Sequence, residues 1–307
     1  MFSRQELTYE IAAVGSPFDV VRRRYLRRLN EHTKRNTIIY AMRPQHASIV
    51  TEDIQGFMAA IHELKGDDLD LILHTPGGSS EAAEQVVNYL HEKFKNIRVI
   101  VPLYAMSAAT MIACSADEII MGRQSALGPV DPQFVTPNGL MPAHAIIDEF
   151  ETALDQIKKD PKAAVFWVPK LSSLQHGYYS QAKTVLERSE TLCRDWLIRF
   201  MRLDTAKSEQ IAKWLASSEH GSHGKPISAI EADSKGLKVT LLEKDQDLQD
   251  LVLAVFHCTM LTLEGTGCFK FVENHLGKGY FQMMQQGPQL LQIPQIPTIQ
   301  PIPRPNP

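Results

Sequence analysis

Two junctions between predicted strands and helices carry the residue types that acyl-transfer chemistry requires. One is the double glycine Gly77-Gly78 in HTPGG, and the other is Ser107 in YAMSAAT. A serine hydroxyl becomes a nucleophile when a base takes its proton, and glycine lets backbone N–H groups approach a substrate closely. Together with the N–H groups of Ala108 and of Gly77 or Gly78, Ser107 would form a nucleophile with an oxyanion hole. The alternative is that the serine only caps a helix and the glycines only shape a turn.

The elements around both junctions alternate between strand and helix. Apolar runs predict strands at residues 69–74, 97–103 and 118–121. Between them, residues 80–94 show the apolar spacing of a helix capped by Ser79 or Ser80, and residues 107–116 form a short apolar helix. This alternation predicts right-handed crossovers and a mainly parallel sheet. Ligands bind at the carboxyl ends of the strands in such sheets, which is where both junctions lie.

The two motifs resemble a known family when they are read together with the sequence that follows them. HTPGG, then YAMSAAT, ACSADEIIMG and LGPVDPQ, are similar to the Clp-fold serine proteinases, in the branch of the signal peptide peptidase SppA and the serine dehydrogenase proteinases. The resemblance runs from about residue 36 to residue 239. It implies an α/β fold of the ClpP/crotonase type, with repeated ββα units, a mainly parallel sheet and a helical appendage.

The resemblance also implies an activity and a set of site residues. It implies a serine endopeptidase that forms an acyl-enzyme on Ser107, with oxyanion N–H groups from Gly77, Gly78 and Ala108. The expected substrate is a peptide or an unfolded protein segment, and the expected assembly is a homo-oligomer. Two other functions stay open: an inactive scaffold that keeps the fold, and an acyl-CoA enzyme of the crotonase type. The second needs paired carboxylates, and Asp117-Glu118 is the one acidic pair near these motifs.

The general base is the open question in the sequence. In the Clp protease the histidine follows the serine at about the position of Val130 to Pro132, where this chain has no histidine. One candidate is His223, in a segment that resembles the closing motif of the family, SHGKPISAIEA followed by GL. Imidazole titrates near neutral pH and needs no special burial to accept a proton. The alternative is a lysine, as in the SppA branch, for which Lys158 and Lys159 at a predicted helix end are candidates.

Composition limits the remaining functions. The 307 residues carry a formal net charge of −3, which does not favour nucleic acid as a partner. The cysteines show no metal-like spacing, no cofactor motif is present, and Cys114 and Cys193 are predicted to be small core residues. The longest apolar run, residues 251–263, contains His257 and is too short to span a membrane. The first residues contain no apolar core of a signal peptide, so we expect a cytoplasmic protein.

The chain divides into four predicted segments. Residues 1–35 form a basic helical segment that docks through apolar residues (Val20, Val21, Tyr25 and Leu29), and residues 36–240 form the Clp/crotonase-like domain. Within that domain, residues 125–142 read as a Gly- and Pro-rich loop, and three helices follow at 143–159, 178–203 and 205–216. Residues 241–286 form an extension with a helix and a strand, and the Pro-rich residues 287–307 are predicted to be a disordered tail.

Overall fold

The described part of the chain is organised around one seven-stranded sheet. In the computed structural model, residues 19–136, 139–172, 174 and 176–284 are described. The predictions for residues 1–18 and for the tail at 287–307 lie outside these ranges. From one edge to the other, its strands are residues 239–241, 118–121, 96–101, 68–74, 36–42, 268–274 and 279–283. The first five pair in parallel, and the sixth pairs antiparallel with both of its neighbours.

The strands and helices alternate as the apolar pattern predicts. The strands of the main sheet are β1 (Asn36–Met42), β2 (Asp68–His74), β3 (Asn96–Val101), β5 (Glu118–Met121), β10 (Val239–Leu241), β11 (Cys268–Asn274) and β12 (Gly279–Met283). Shorter strands are β4 (Tyr104–Ala105), β6 (Ala126–Leu127) and β9 (Ile227–Ser228), which form a small sheet, and β7 (Gln133–Thr136) with β8 (Gly139–Pro142), which form a hairpin. The expected mainly parallel α/β architecture is confirmed.

The helices cover both faces of the main sheet. They are α1 (Asp19–Thr33), α2 (Asp53–Ile61), α3 (Ser80–Lys93), α4 (Ala108–Cys114), α5 (Ala143–Lys159), α6 (Ala164–Ser172), α7 (Tyr178–Arg199), α8 (Thr205–Ala216), α9 (Ala229–Lys235) and α10 (Gln246–Gly265). One large core joins α2, α3, α4 and α8 to one face of the sheet, and a second core joins α1 and α10 to the other. A small third cluster holds α5 against the first half of α7.

The C-terminal extension belongs to the main sheet. Strand β11 pairs with β1, with Tyr40 opposite Val272, and α10 packs against α1. Residues from both ends of the described chain thus complete one face of the fold. The four cysteines are free and buried, as predicted for Cys114 and Cys193.

Two sequence expectations were wrong in detail. Strands β7 and β8 pair antiparallel where a loop was expected, because such pairing is compatible with a proline at a strand end, here Pro142. Val20 is 40% exposed, although it was expected to dock α1.

Candidate active site

Ser107 lies between β4 and α4 with a strained backbone. Its φ is 53° and its ψ is −122°, a conformation that non-glycine residues rarely adopt and that costs about 1–3 kcal/mol. The side chain makes no capping hydrogen bond to α4, so the expected alternative of a plain helix cap does not apply. The Ser107 carbonyl accepts the N–H of Thr110 at 2.8 Å, which holds the turn in place. A strained serine at a strand-to-helix turn exposes its hydroxyl to the cavity.

The double-glycine turn lies directly against Ser107. A Cβ added to Gly77 would come within 2.8 Å of the Ser107 Cβ and 2.5 Å of the Met106 carbonyl oxygen. Both glycines have positive φ, 99° for Gly77 and 153° for Gly78. Only glycine allows this close approach in this backbone conformation. The structure therefore brings the two motifs together.

The turn is held from behind by the backbone of Ile49. The Ile49 N–H donates to the Gly77 carbonyl at 2.8 Å, and the Ile49 carbonyl accepts the Ser79 N–H at 3.0 Å. In a trans peptide the N–H points opposite to the carbonyl. Because the Gly77 carbonyl points at Ile49, the Gly78 N–H points away from Ile49, to the opposite side of the turn.

Three N–H groups were expected to serve an oxyanion, and their hydrogen bonds differ. The N–H of Gly77 donates to the Thr75 hydroxyl at 3.1 Å. The N–H groups of Gly78 and Ala108 have no acceptor among the described residues. Unpaired backbone donors at the edge of a cavity are available to a substrate oxygen. Gly78 and Ala108 are thus better placed as donors than Gly77.

His223 is paired with a buried carboxylate. Its Nδ1 lies 2.6 Å from Oδ1 of Asp131, whose side chain is 2% exposed, whereas the His223 side chain is 30% exposed. An ionised carboxylate only accepts hydrogen bonds, so in a neutral imidazole Nδ1 carries the proton and Nε2 is the proton acceptor. The other carboxylate oxygen, Oδ2, accepts the amide of Gln133 at 2.8 Å. This arrangement orients the imidazole as an orienting acid does in a Ser-His-Asp triad.

A single cavity of about 550 Å³ joins these groups. Its lining includes Ser107, Ala108, both glycines and His223. The rest of the wall is mixed, with apolar side chains from Met111, Val130, Phe134 and Val185 and hydroxyls from Ser79, Ser80 and Ser189. The cavity has the size and the mixed lining of a substrate site.

The loops that carry Asp131 and His223 are fixed by the surrounding backbone. The Val130 N–H donates to the Leu215 carbonyl of α8 at 2.8 Å. The Thr110 hydroxyl lies 2.8 Å from the Gly128 carbonyl and accepts the Gly128 N–H at 3.0 Å, which ties this loop to α4. His220 is buried and bonds the Trp214 carbonyl through Nε2 at 2.7 Å, so it anchors the loop of His223.

The two lysine candidates do not reach this site. Lys158 and Lys159 end α5 and are exposed, and Lys159 pairs with Asp155 at 2.6 Å. Neither side chain lines the cavity around Ser107. A base must lie within hydrogen-bond reach of the hydroxyl, and a lysine must also be desolvated to lose its proton near neutral pH. The geometry therefore favours His223 over either lysine.

Asp131 is the site residue that the sequence reasoning missed. It stands in the segment from Val130 to Pro132, where the resemblance led us to expect a histidine and the sequence has none. The signal that was available is the acid itself, in GPVDPQ. The chain order here is Ser107, Asp131 and His223, and triads occur in different chain orders on unrelated folds. A second imidazole, that of His144, has its Nδ1 3.8 Å from Oδ2 of Asp131.

His74 ends β2 immediately before the double-glycine turn and is fully buried. Its ring lies 4.2 Å from the ring of Tyr104 and 5.0 Å from that of Phe256, measured between centroids. Burial lowers the pKa of His74 to about 4 and raises the pKa of Tyr104 to about 12. Both side chains are therefore neutral near pH 7.

The fold and the cavity define an α/β protein with a strained serine, an imidazole–carboxylate pair and free N–H groups around one site. The model of one protein family, the ClpP-like SDH-type serine proteinases, matches residues 18–253. The chain belongs to this family, and the resemblance seen in its motifs is confirmed. Membership supports a protease function.

Individual relatives share only part of their length with this chain. Two uncharacterized proteins of Methanocaldococcus jannaschii are similar. One is 32% identical over 199 residues, which cover 64% of this chain and 62% of that protein. The other is 42% identical over 108 residues, which cover 35% of this chain and 36% of that protein. The chain spans less than two thirds of the length of these curated relatives. A solved mutant of the 1510-N membrane-bound stomatin-specific protease matches 70% of this chain and 84% of its own, with 14% identity and a TM-score of 0.42.

Metal-ligating clusters and membrane-spanning helices are both absent from the described residues. No group of three or more His, Cys, Asp or Glu side chains in the described ranges is placed to hold a metal ion. Within the same ranges, none of the helices has both the length and the apolar character that crossing a bilayer requires.

Proposed function

We propose that this protein is a serine peptidase that hydrolyses peptide bonds through an acyl-enzyme on Ser107. The observation that carries the proposal is the 2.6 Å bond between buried Asp131 and His223, which lines the same cavity as Ser107. This pair supplies the oriented base that the sequence alone left open. The proposed substrate is a peptide or an unfolded protein segment that enters the open cavity.

In the proposed reaction, the Ser107 hydroxyl attacks the carbonyl carbon and its proton passes to Nε2 of His223. Asp131 stabilises the imidazolium that forms. The N–H groups of Gly78 and Ala108 stabilise the negative charge on the substrate oxygen. His223 then protonates the leaving amine, and the acyl group stays on Ser107. Water, deprotonated by His223, hydrolyses this ester and restores the hydroxyl.

The proposal includes a cytoplasmic, homo-oligomeric protein. Four free, buried cysteines support a reducing compartment. A group of apolar side chains exposed on α5, α6 and the hairpin supports association between copies: Val135, Leu140, Leu154, Val165, Phe166 and Val168. Sedimentation velocity of the full chain measures the assembly directly.

A fluorophosphonate probe tests the nucleophile. We expect the wild-type protein to be labelled, Ser107→Ala to be unlabelled, and His223→Ala to be labelled at least about 100-fold more slowly. Ser234→Ala, which removes an exposed hydroxyl of α9 outside the cavity, is the matched control and keeps the wild-type rate. Wild-type protein that is folded and unlabelled contradicts the proposal, as does labelling that survives Ser107→Ala.

A further inference from the structure

The direction of the Gly78 N–H depends on the orientation of the peptide between Gly77 and Gly78. Both residues lack the Cβ atoms that would oppose rotation of this peptide. Ile49 holds this peptide through the Gly77 carbonyl and holds the next peptide through the Ser79 N–H. The brace segment, residues 48–50, therefore decides whether the Gly78 N–H points into the cavity.

The brace segment is itself held by a buried charged network. Lys270 of β11 donates through Nζ to the Ser48 carbonyl at 2.7 Å and to Oδ1 of Asp53 at 2.7 Å. The other oxygen of Asp53 accepts the Val50 N–H at 2.9 Å and the Tyr40 hydroxyl at 2.5 Å. Each end of the brace segment thus has one bond to this network.

Both charges of the network are taken out of water. The Lys270 side chain is 4% exposed and that of Asp53 is 1% exposed. Removing one member of such a pair leaves an uncompensated buried charge. Because such a charge is costly, either its hydrogen-bond partners shift or water enters to solvate it. The partners that would move here are the Ser48 carbonyl and the Val50 N–H.

We propose that Lys270 and Asp53 are positioning residues for the oxyanion site, acting through residues 48–50 on the direction of the Gly78 N–H. The proposal rests on the proposed function. The path has four steps: Lys270 and Asp53 fix Ser48 and Val50, these fix Ile49, Ile49 fixes the Gly77 carbonyl, and the peptide plane fixes the Gly78 N–H. A strand outside the two motifs thereby controls one of the two proposed oxyanion donors.

The test compares Lys270→Met with Glu273→Gln. Glu273 is on the same strand and faces the opposite side of the sheet, where its fully buried side chain pairs with Arg22 at 2.7 Å. Both changes break a buried ion pair of β11, so both lower the melting temperature. Only Lys270→Met disturbs the brace segment. For a nitrophenyl ester, we expect kcat of Lys270→Met to fall about 10- to 100-fold with KM within about threefold, because the donor acts in the transition state.

The control separates this role from general stability. Glu273→Gln is expected to keep kcat within about threefold at a temperature where both variants are folded. Equal losses of kcat in the two variants overturn the positioning role. So does a Lys270→Met variant whose KM rises while its kcat is unchanged. If Lys270→Met does not fold, Asp53→Asn/Lys270→Met removes both charges and is measured in its place, with the same expected fall in kcat.

Failure of the proposed function gives a different result. Wild-type protein that neither reacts with a fluorophosphonate nor hydrolyses the ester overturns the peptidase and this inference together. Wild-type protein that does both, with Lys270→Met indistinguishable from Glu273→Gln, overturns this inference alone.

Discussion

Replacing Asp131 by asparagine keeps the shape of the side chain and removes its charge. Gln133 donates to Oδ2 of Asp131 at 2.8 Å, so the carbonyl oxygen of the new amide is held at that position. The NH2 group of the new amide then faces Nδ1 of His223, in the position that Oδ1 of Asp131 occupies in the wild type, 2.6 Å from Nδ1. Nδ1 must become an acceptor and Nε2 must carry the proton. In that tautomer His223 cannot take the proton of Ser107.

The size of the effect follows from the charge that is lost. An imidazolium and a carboxylate about 4 Å apart attract by about 4 kcal/mol at an effective dielectric constant of about 20. The His223 side chain is 30% exposed, so solvent reduces this to about 3–4 kcal/mol. At about 1.4 kcal/mol for each factor of ten, kcat falls about 100- to 1000-fold.

The assay is the rate of fluorophosphonate labelling together with kcat for a nitrophenyl ester. Asp70→Asn is the matched control, because Asp70 is also fully buried and pairs with Arg35 and Arg98 away from the cavity. We expect the control to stay within about threefold of wild type. If Asp131→Asn keeps more than about a third of the wild-type rate while His223→Ala is inactive, Asp131 does not orient the base.

Two further predictions concern the turn and the strand before it. Gly78→Ala places a Cβ 2.3 Å from the Ile49 nitrogen, so we expect the turn to shift and kcat to fall at least about 100-fold. Gly139 also has a positive φ but has open space around it, so we expect the kcat of Gly139→Ala to stay within about twofold of wild type. Buried His74 has a pKa of about 4, against about 6.5 in the unfolded chain, so its contribution to stability is complete above pH 6.5 and is lost as the pH falls. At pH 4 we expect this loss to be about 3 kcal/mol of unfolding free energy. Urea unfolding measures it, and His74→Leu is expected to lose correspondingly less stability between pH 7 and pH 4.

Each of these has a result that contradicts it. Gly78→Ala with wild-type kcat means that this N–H is not an oxyanion donor. Burial also lowers the pKa values of His91 and His275, so low pH destabilises the His74→Leu variant as well. Curves of unfolding free energy against pH that run parallel for wild type and His74→Leu contradict the assignment of this loss to His74.

Much of the fold could be predicted because it depends on local apolar spacing. The bounds of β5, α5 and α8 agree with the predicted ranges, and Ser79 caps α3 by accepting the N–H of Ala82, one of the two expected caps. Apolar periodicity and capping are local properties, so they can be read from a short window of sequence.

The pairings that complete the site could not be predicted in the same way. Asp131 and His223 are 92 residues apart, and Lys270 and Asp53 are 217 residues apart. No spacing rule relates residues at such distances. Arg22, expected on a solvated basic helix, is fully buried because Glu273 compensates its charge. Burial of a charged residue depends on a partner that the local sequence does not contain.

The 92-residue separation between Asp131 and His223 has a consequence for when the candidate site is assembled during folding. Between these residues the chain builds the hairpin and helices α5 to α8, and this region must close on itself before the two side chains meet. The bond from the Val130 N–H to the Leu215 carbonyl is part of that closure. Closing so long a segment is unfavourable until its packing rewards it. With the proposed roles, a nascent or partly unfolded chain holds an unassisted serine. On the proposed function, proteolytic activity requires the complete fold.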